Sequence, residues 1–304
     1  MPLGIADLAH LWDGDVIRLP DILRQKYRQM LTRLGLLDLA LGGCSGPGPI
    51  GGKTNRETEE HFTHRFGVGG ARLQYVLVAG NKALKHVARD LLTALSDGNI
   101  RLLDLPCGAG SCSSTFLSLL CDLRSKMILP PTPLNVSVIG ADFSPKARKL
   151  FLDIIGDLTP DWTKQSLKVQ VEVVDWDATR SDSTAVLMDR VLDESSFVPT
   201  EYVVLITNFS GEASSSQFFR EFSPCLEQIL GRLSTKRYTV VWIEPSITSA
   251  NNLLGRLLSF FTQRIPWISP ADGTTDVDAT YKAQHPITNE IHRSSVKLLR
   301  HIRK

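Results

Sequence analysis

The chain has 304 residues, with 34 lysines and arginines against 32 aspartates and glutamates and 42% apolar residues. That length buries a sizeable core, the formal charge of +2 excludes a dedicated polyanion binder, and the composition excludes disorder throughout. No apolar stretch reaches the about 18 residues of a membrane span, residues 1–15 lack the basic-then-apolar order of a secretory leader, and five cysteines without a Cys-x-x-Cys pair point to reduced thiols in a cytoplasmic protein.

Residues 1–98 read as a helical region. Residues 21–41 and 70–95 carry apolar side chains at helical spacing, and between them residues 42–52 form a loop dense in glycine and proline. That loop is either a linker or a lid that orders when substrate enters. Residues 58–66 also suit a helix, where His61 and His64 share a face as a surface pair or as polar groups of a pocket lid. No third ligand stands at a spacing suited to metal, and the cysteines lack zinc spacing, so no metal is expected. The segment Gly51-Gly52-Lys53-Thr54 follows no strand and lacks the full spacing of a phosphate loop.

From residue 99 onward, strand-like runs alternate with helical ones. Residues 100–105 end in Asp104-Leu105-Pro106-Cys107-Gly108-Ala109-Gly110, directly before an apolar helix over 115–123. Glycines at such a bend let the backbone approach a ligand, and the free N–H groups of the new helix favour a polar or anionic group. Residues 135–141 form a second strand ending in Asp142, before Phe143-Ser144-Pro145-Lys146. A carboxylate there either accepts from ribose hydroxyls or caps the helix, and Ser144 can do the capping. The third run, 167–174, closes in Asp175-Trp176-Asp177-Ala178, the fourth, 202–207, in Asn208-Phe209-Ser210-Gly211-Glu212, and the fifth, 238–243, in Glu244-Pro245-Ser246. Residues 280–283 and 294–299 suit an antiparallel hairpin. Residues 281–304 hold six basic residues against Glu290 alone, which leaves contact with RNA phosphates open beside the reading as solvated edge-strand charges.

In the order of these motifs the chain resembles the class I S-adenosylmethionine-dependent methyltransferase family over roughly residues 99–260. The resemblance implies an α/β fold: a doubly wound, mostly parallel seven-stranded sheet with an antiparallel C-terminal hairpin, here preceded by the helical region as lid or substrate-recognition part. It also implies S-adenosyl-L-methionine as cofactor, held by Asp104, Pro106, Cys107, Gly108, Gly110, Asp142, Phe143, Asp175, Trp176, Asp177 and Asn208. In such a site Asp104 reaches the amino group through water, Asp142 the ribose and Asp177 the adenine amine, with Trp176 packing on the ring. Asn208, Glu212 and His64 are the candidates for orienting the acceptor or taking a proton, with Glu244 as a further carboxylate.

Two departures stand out. Asp142 follows Asp104 by 38 residues, against about 20 in the dinucleotide fold, and the proline-rich loop 129–134 accounts for part of the excess. The fourth motif is not the Asn-Pro-Pro-aromatic tetrad of enzymes that methylate exocyclic amines, which weighs against those substrates. Ser113 stands where a nicotinamide-dinucleotide fingerprint places Gly or Ala. Cys107 sits in the first loop, not after the fourth strand where a Pro-Cys nucleophile belongs. The expected activity is methyl transfer to a small-molecule acceptor, with an RNA methyltransferase or a catalytically degenerate, cofactor-binding scaffold as the alternatives.

Overall fold

The computed structural model describes residues 8–43, 53–79, 98–209, 215–248 and 275–303, together with 84, 87–89, 91, 95, 252–257 and 259. The predicted loop 42–52 lies outside them apart from Gly42 and Gly43, as does Glu212. The elements are β1 (Val16–Ile17), α1 (Asp21–Arg33), α2 (Leu37–Leu41), α3 (Asn55–Val78), β2 (Asn99–Asp104), α4 (Ser111–Ser125), β3 (Leu134–Asp142), α5 (Pro145–Thr163), β4 (Leu167–Asp175), α6 (Ser181–Leu192), β5 (Glu201–Thr207), α7 (Ser216–Leu233), β6 (Tyr238–Glu244), β7 (Thr275–Gln284) and β8 (Ile291–Arg303). Among the described residues no helix is long and apolar enough to cross a membrane.

The strands form one sheet in the order β1-β7-β8-β6-β5-β2-β3-β4. Pairing is parallel except for β8, which runs antiparallel to both β6 and β7. From β4 to β6 this is the doubly wound order 3-2-1-4-5, with the expected antiparallel hairpin closing the far side. Every residue of β5 and β6 is buried, as suits strands covered on both faces, whereas the edge strand β4 exposes Lys168 and Glu172. The eighth strand, β1, is two residues long, too short to leave a period-2 signal in the sequence.

Alternation along the strands sorts side chains into two cores. Ile100, Leu102, Val203 and Leu205 face α3, α4 and α5, while Leu103, Tyr202, Val204 and Ile206 face α6 and α7. The first core runs across residue 98: Tyr27, Phe62 and Phe66 belong to the same cluster as Phe116, Phe151 and Trp162, all at most 3% exposed. Tyr27 stacks on Phe66 with centroids 4.7 Å apart, and its hydroxyl donates to Thr63 O at 2.7 Å. Helix α3 starts under a Thr54 cap that accepts from Glu57 N, and it approaches α4 closely because Gly70 has no side chain: a Cβ there would collide with Thr115 Oγ1.

The hairpin reaches well beyond the sheet's carboxyl edge. Glu244, the last residue of β6, pairs with Lys297, so residues 291–296 of β8 and their partners 279–284 of β7 extend past the end of β6, the tip by roughly 20 Å at about 3.4 Å per residue. Helix α3 leans on this extension. Tyr75 stacks on Tyr281 at 4.4 Å, Arg72 Nε donates to Ser295 O at 3.3 Å, and Gly67 lies flat against Pro286. The N-terminal region and the hairpin thus form a wall above the ends of β5 and β6.

Candidate functional site

The chain leaves β2 for β3 on one side and starts its second half with β5 on the other, so the crevice beyond the carboxyl ends of β2 and β5 is the topological switch point. The loop 105–110 lies there, pinned by Leu105 N donating to Leu205 O at 2.9 Å and Cys107 N donating to Ala141 O at 2.8 Å. Its two glycines, Gly108 (φ +49°) and Gly110 (φ +81°), occupy the left-handed region for different reasons. A Cβ at Gly110 would stand 2.7 Å from the Phe151 ring, which also fills the place of a side chain at Gly140. A Cβ at Gly108 would meet nothing within 4 Å among the described residues. One glycine seats a core ring and the other borders open space.

Asp104 is 1% exposed at the tip of β2. Its Oδ2 accepts from Ser113 N at 3.1 Å and Ser113 Oγ at 2.7 Å, while its Oδ1 is buried with no partner among the described residues. Burial pushes its pKa up to about 7, against the Ser113 hydrogen bonds, and nearby Asp142 adds to the rise. Between its ordinary value of 3.8 and about 7, the unfolded chain carries Asp104 ionised while the folded chain holds the proton. Folding takes up that proton, so stability falls as pH rises through this window. Denaturant titrations of the ligand-free protein should therefore show it losing stability relative to Asp104→Asn from pH about 4 to about 7. A flat or opposite difference contradicts the buried, proton-holding Asp104.

Asp142, 6% exposed, closes over the same loop from β3. Its Oδ2 accepts from Gly108 N at 3.0 Å and its Oδ1 from Ser144 N at 2.8 Å, while Ser144 Oγ caps α5 by accepting from Ala147 N at 3.2 Å. The cap therefore falls to Ser144, yet Asp142 also serves the backbone. A carboxylate offers about four acceptor positions, so room remains for hydroxyl donors. Burial raises the pKa of Asp142 despite both hydrogen bonds and nearby Arg148. Phe143 beside it is 52% exposed. Trp176, by contrast, is 2% exposed in the second core, with its indole N–H on Thr184 Oγ1 at 3.1 Å, which leaves Phe143 as the open aromatic face at this rim. Asp175 is exposed and paired with Arg148 at 2.9 Å. Asp177 Oδ1 accepts from the backbone and hydroxyl of Thr179 at 2.9 and 2.6 Å.

Pro106 is half-buried in the loop, and Cys107 beside it is buried, its thiol donating to Gly108 O at 3.4 Å. Burial and the carboxylates of Asp142 and Asp104 push that thiol well up, which keeps it protonated and unsuited to attack. Asn208 follows β5 at φ +56°. Strand alternation alone would turn its side chain toward α6 and α7, but the left-handed turn presents it to α3, where Arg72 Nη1 donates to its Oδ1. Glu244 is fully buried and structural: its Oε1 accepts from Phe209 N and Trp242 Nε1, both at 2.8 Å. His64 lies half-buried on α3, an electrostatic neighbour of Arg65 and His285 rather than a residue of the loop 105–110.

Arg72 is the site residue that sequence reading passed over. Its signal was present, because it is the single charge in residues 67–78, an otherwise apolar and glycine-rich helical stretch. Ser113, read only as a misfit to a nucleotide fingerprint, is the residue that holds Asp104. Among the described residues no group of three or more His, Cys, Asp or Glu side chains is placed to hold a metal ion.

No protein-family model and no curated protein sequence matches the chain. Among solved structures it is similar to a loganic acid methyltransferase with SAH, at 14% identity and a TM-score of 0.37, covering 72% of this chain and 68% of that one. A precorrin-6y C5,15-methyltransferase from Geobacter metallireducens aligns at 13% identity and a TM-score of 0.34, covering 78% and 97% of the two chains. A Listeria monocytogenes protein described as a class I S-adenosylmethionine-dependent methyltransferase aligns at 12% identity and 0.34, covering 92% and 78%. Strand order and loop geometry, not these likenesses, define the fold. By that order, with its antiparallel hairpin and its glycine loop at the switch point, the chain has the Rossmann-like fold of the class I S-adenosylmethionine-dependent methyltransferases.

Proposed function

We propose that the chain is an S-adenosylmethionine-dependent methyltransferase acting on a small-molecule acceptor. The observation that carries this reading is the buried Asp104 Oδ1, without a partner among the described residues, beside a glycine, Gly108, whose Cβ direction opens onto empty space. A buried carboxylate oxygen calls for a donor. The cofactor's amino group meets that need, its ribose hydroxyls suit Asp142, its adenine suits Phe143 with Asp177 nearby, and Pro106, Cys107 and Gly110 shape the loop. When bound, the cofactor supplies an electrophilic methyl group.

What the protein itself contributes is positioning, which converts a bimolecular encounter into an oriented one. Asn208, fixed by Arg72, offers an amide that donates to the acceptor at the tip of β5. Glu244 is committed to Phe209 and Trp242, so it is a poor general base. The boundary near residue 98 is then one of roles: the first part supplies α3 to the wall and β1 to the sheet edge, and the second supplies the glycine loop, the other strands and the hairpin side of the wall. The basic C-terminal segment weighs little toward RNA, because it is the hairpin itself: Lys282 pairs with Asp15 at 2.6 Å and Arg300 is buried.

Asp142→Ala is expected to weaken S-adenosylhomocysteine binding by about 1–3 kcal/mol, from lost hydrogen bonds to a charged acceptor; unchanged calorimetric affinity in a folded variant removes the ribose role. The activity is tested with methyl-tritiated S-adenosylmethionine and a cell extract separated into low-mass, RNA and protein fractions. Label should enter the low-mass fraction. Label confined to RNA replaces the acceptor class, and binding without any transfer marks a scaffold.

A further inference from the structure

We propose that the acceptor carries a carboxylate, anchored by Arg72 in a cationic recess between α3 and the extended β7–β8 hairpin; this rests on the methyl-transfer reading above. Arg72 reaches from the wall to the tip of β5, and its hydrogen-bond partners are neutral: Asn208 Oδ1 and Ser295 O. Among the described residues neither Arg72 nor its neighbour Arg65 forms an ion pair with a carboxylate. The acids within electrostatic range are turned elsewhere. Glu60 holds Arg56 at 2.9 Å, Glu290 accepts from the Thr288 hydroxyl at 3.3 Å, and Glu244 holds Phe209 and Trp242.

Around Arg72 the polar groups are short of partners as well. His292 Nε2 and the Tyr281 hydroxyl are both buried without a hydrogen bond among the described residues, although Ser294 lies close to the hydroxyl. His64, His285 and His292 form one electrostatic group with Arg65 and Arg72. Burial drives all three imidazoles toward the neutral form, in which each still has one N–H to donate. The half-buried guanidinium of Arg72 has Glu244 within electrostatic range but hydrogen-bonds neutral groups among the described residues, and a carboxylate satisfies such a group with two parallel hydrogen bonds. Beside Arg72, which borders it through Ser295 rather than lining it, Tyr75, Tyr281, Ser294 and Ser295 line a cavity of about 610 Å³ together with Arg293 and the Lys282–Asp15 pair, within the roughly 300–1,000 Å³ of small-molecule sites.

The cofactor has a carboxylate of its own, so two sources of the same chemistry must be separated. Arg72 bridges β5 and β8, whereas Asp104 and Asp142 stand on β2 and β3, which favours the acceptor. The test is titration of the full chain with acetate, and with neutral acetamide, both alone and saturated with S-adenosylhomocysteine, following histidine side chains by ¹H–¹³C spectra. Acetate should give saturable shifts at His292 in both states and acetamide none. Arg72→Gln should weaken acetate at least tenfold while S-adenosylhomocysteine affinity stays within twofold. If S-adenosylhomocysteine abolishes the acetate shifts and Arg72→Gln weakens S-adenosylhomocysteine, the recess holds the cofactor's carboxylate and the proposal falls. No saturable shift in the wild-type protein overturns it outright. Failure of S-adenosylhomocysteine to bind the wild type defeats the methyl-transfer reading instead, with the acetate arm still deciding the recess.

Discussion

Removal of residues 1–98 is expected to leave a chain without a cooperative unfolding transition. The first core includes Leu23, Met30, Phe62, Leu73 and Val76, each at most 1% exposed, packed in one cluster with Leu117, Phe151 and Trp162 on α4 and α5. Losing a single large core side chain costs about 2–5 kcal/mol, and a whole domain has only about 5–15 kcal/mol to lose. Deleting five such residues, together with the strand β1 that covers the edge of β7, exceeds that reserve. Thermal unfolding of the truncated chain, followed by near-ultraviolet circular dichroism, should show no sharp transition. A truncated chain that melts cooperatively contradicts the shared core.

The two loop glycines should fail differently when replaced by alanine. Gly110→Ala places a methyl group 2.7 Å from the Phe151 ring at φ +81°, where neither the loop nor a fully buried phenyl can give way cheaply. A loss of about 2–4 kcal/mol is expected from strain and overpacking together. Gly108→Ala meets open space, so its cost is the left-handed conformation alone, about 1–2 kcal/mol. Its methyl group nevertheless projects where the cofactor is proposed to lie, and S-adenosylhomocysteine affinity should fall at least tenfold. Equal stability losses in the two variants, or normal binding by Gly108→Ala, would contradict the division of roles.

The parallel strands were legible because they are buried on both faces and read as short, nearly continuous apolar runs. Asp104 and Asp142 could be placed at strand ends for the same reason, since the runs stop at them. What sequence did not show was which rim side chains the core takes back. Trp176 and Glu244 look like rim groups by position, but Thr184, in the helix that follows, and the Phe209 N–H, 35 positions back, draw them inward. The wall was invisible for a related reason. Arg72 meets Asn208 only because Gly69 and Gly70 let α3 lie directly on Ser111 and Thr115, and no local pattern announces a packing partner 136 positions away.

Whether the crevice beyond β2 and β5 binds the methyl donor is decided by calorimetric titration of the purified full chain with S-adenosylmethionine and S-adenosylhomocysteine, with NAD as control. Saturable one-site binding of the first two and none of NAD is expected. Binding of NAD, or silence toward both sulfur ligands from a folded protein, would contradict it.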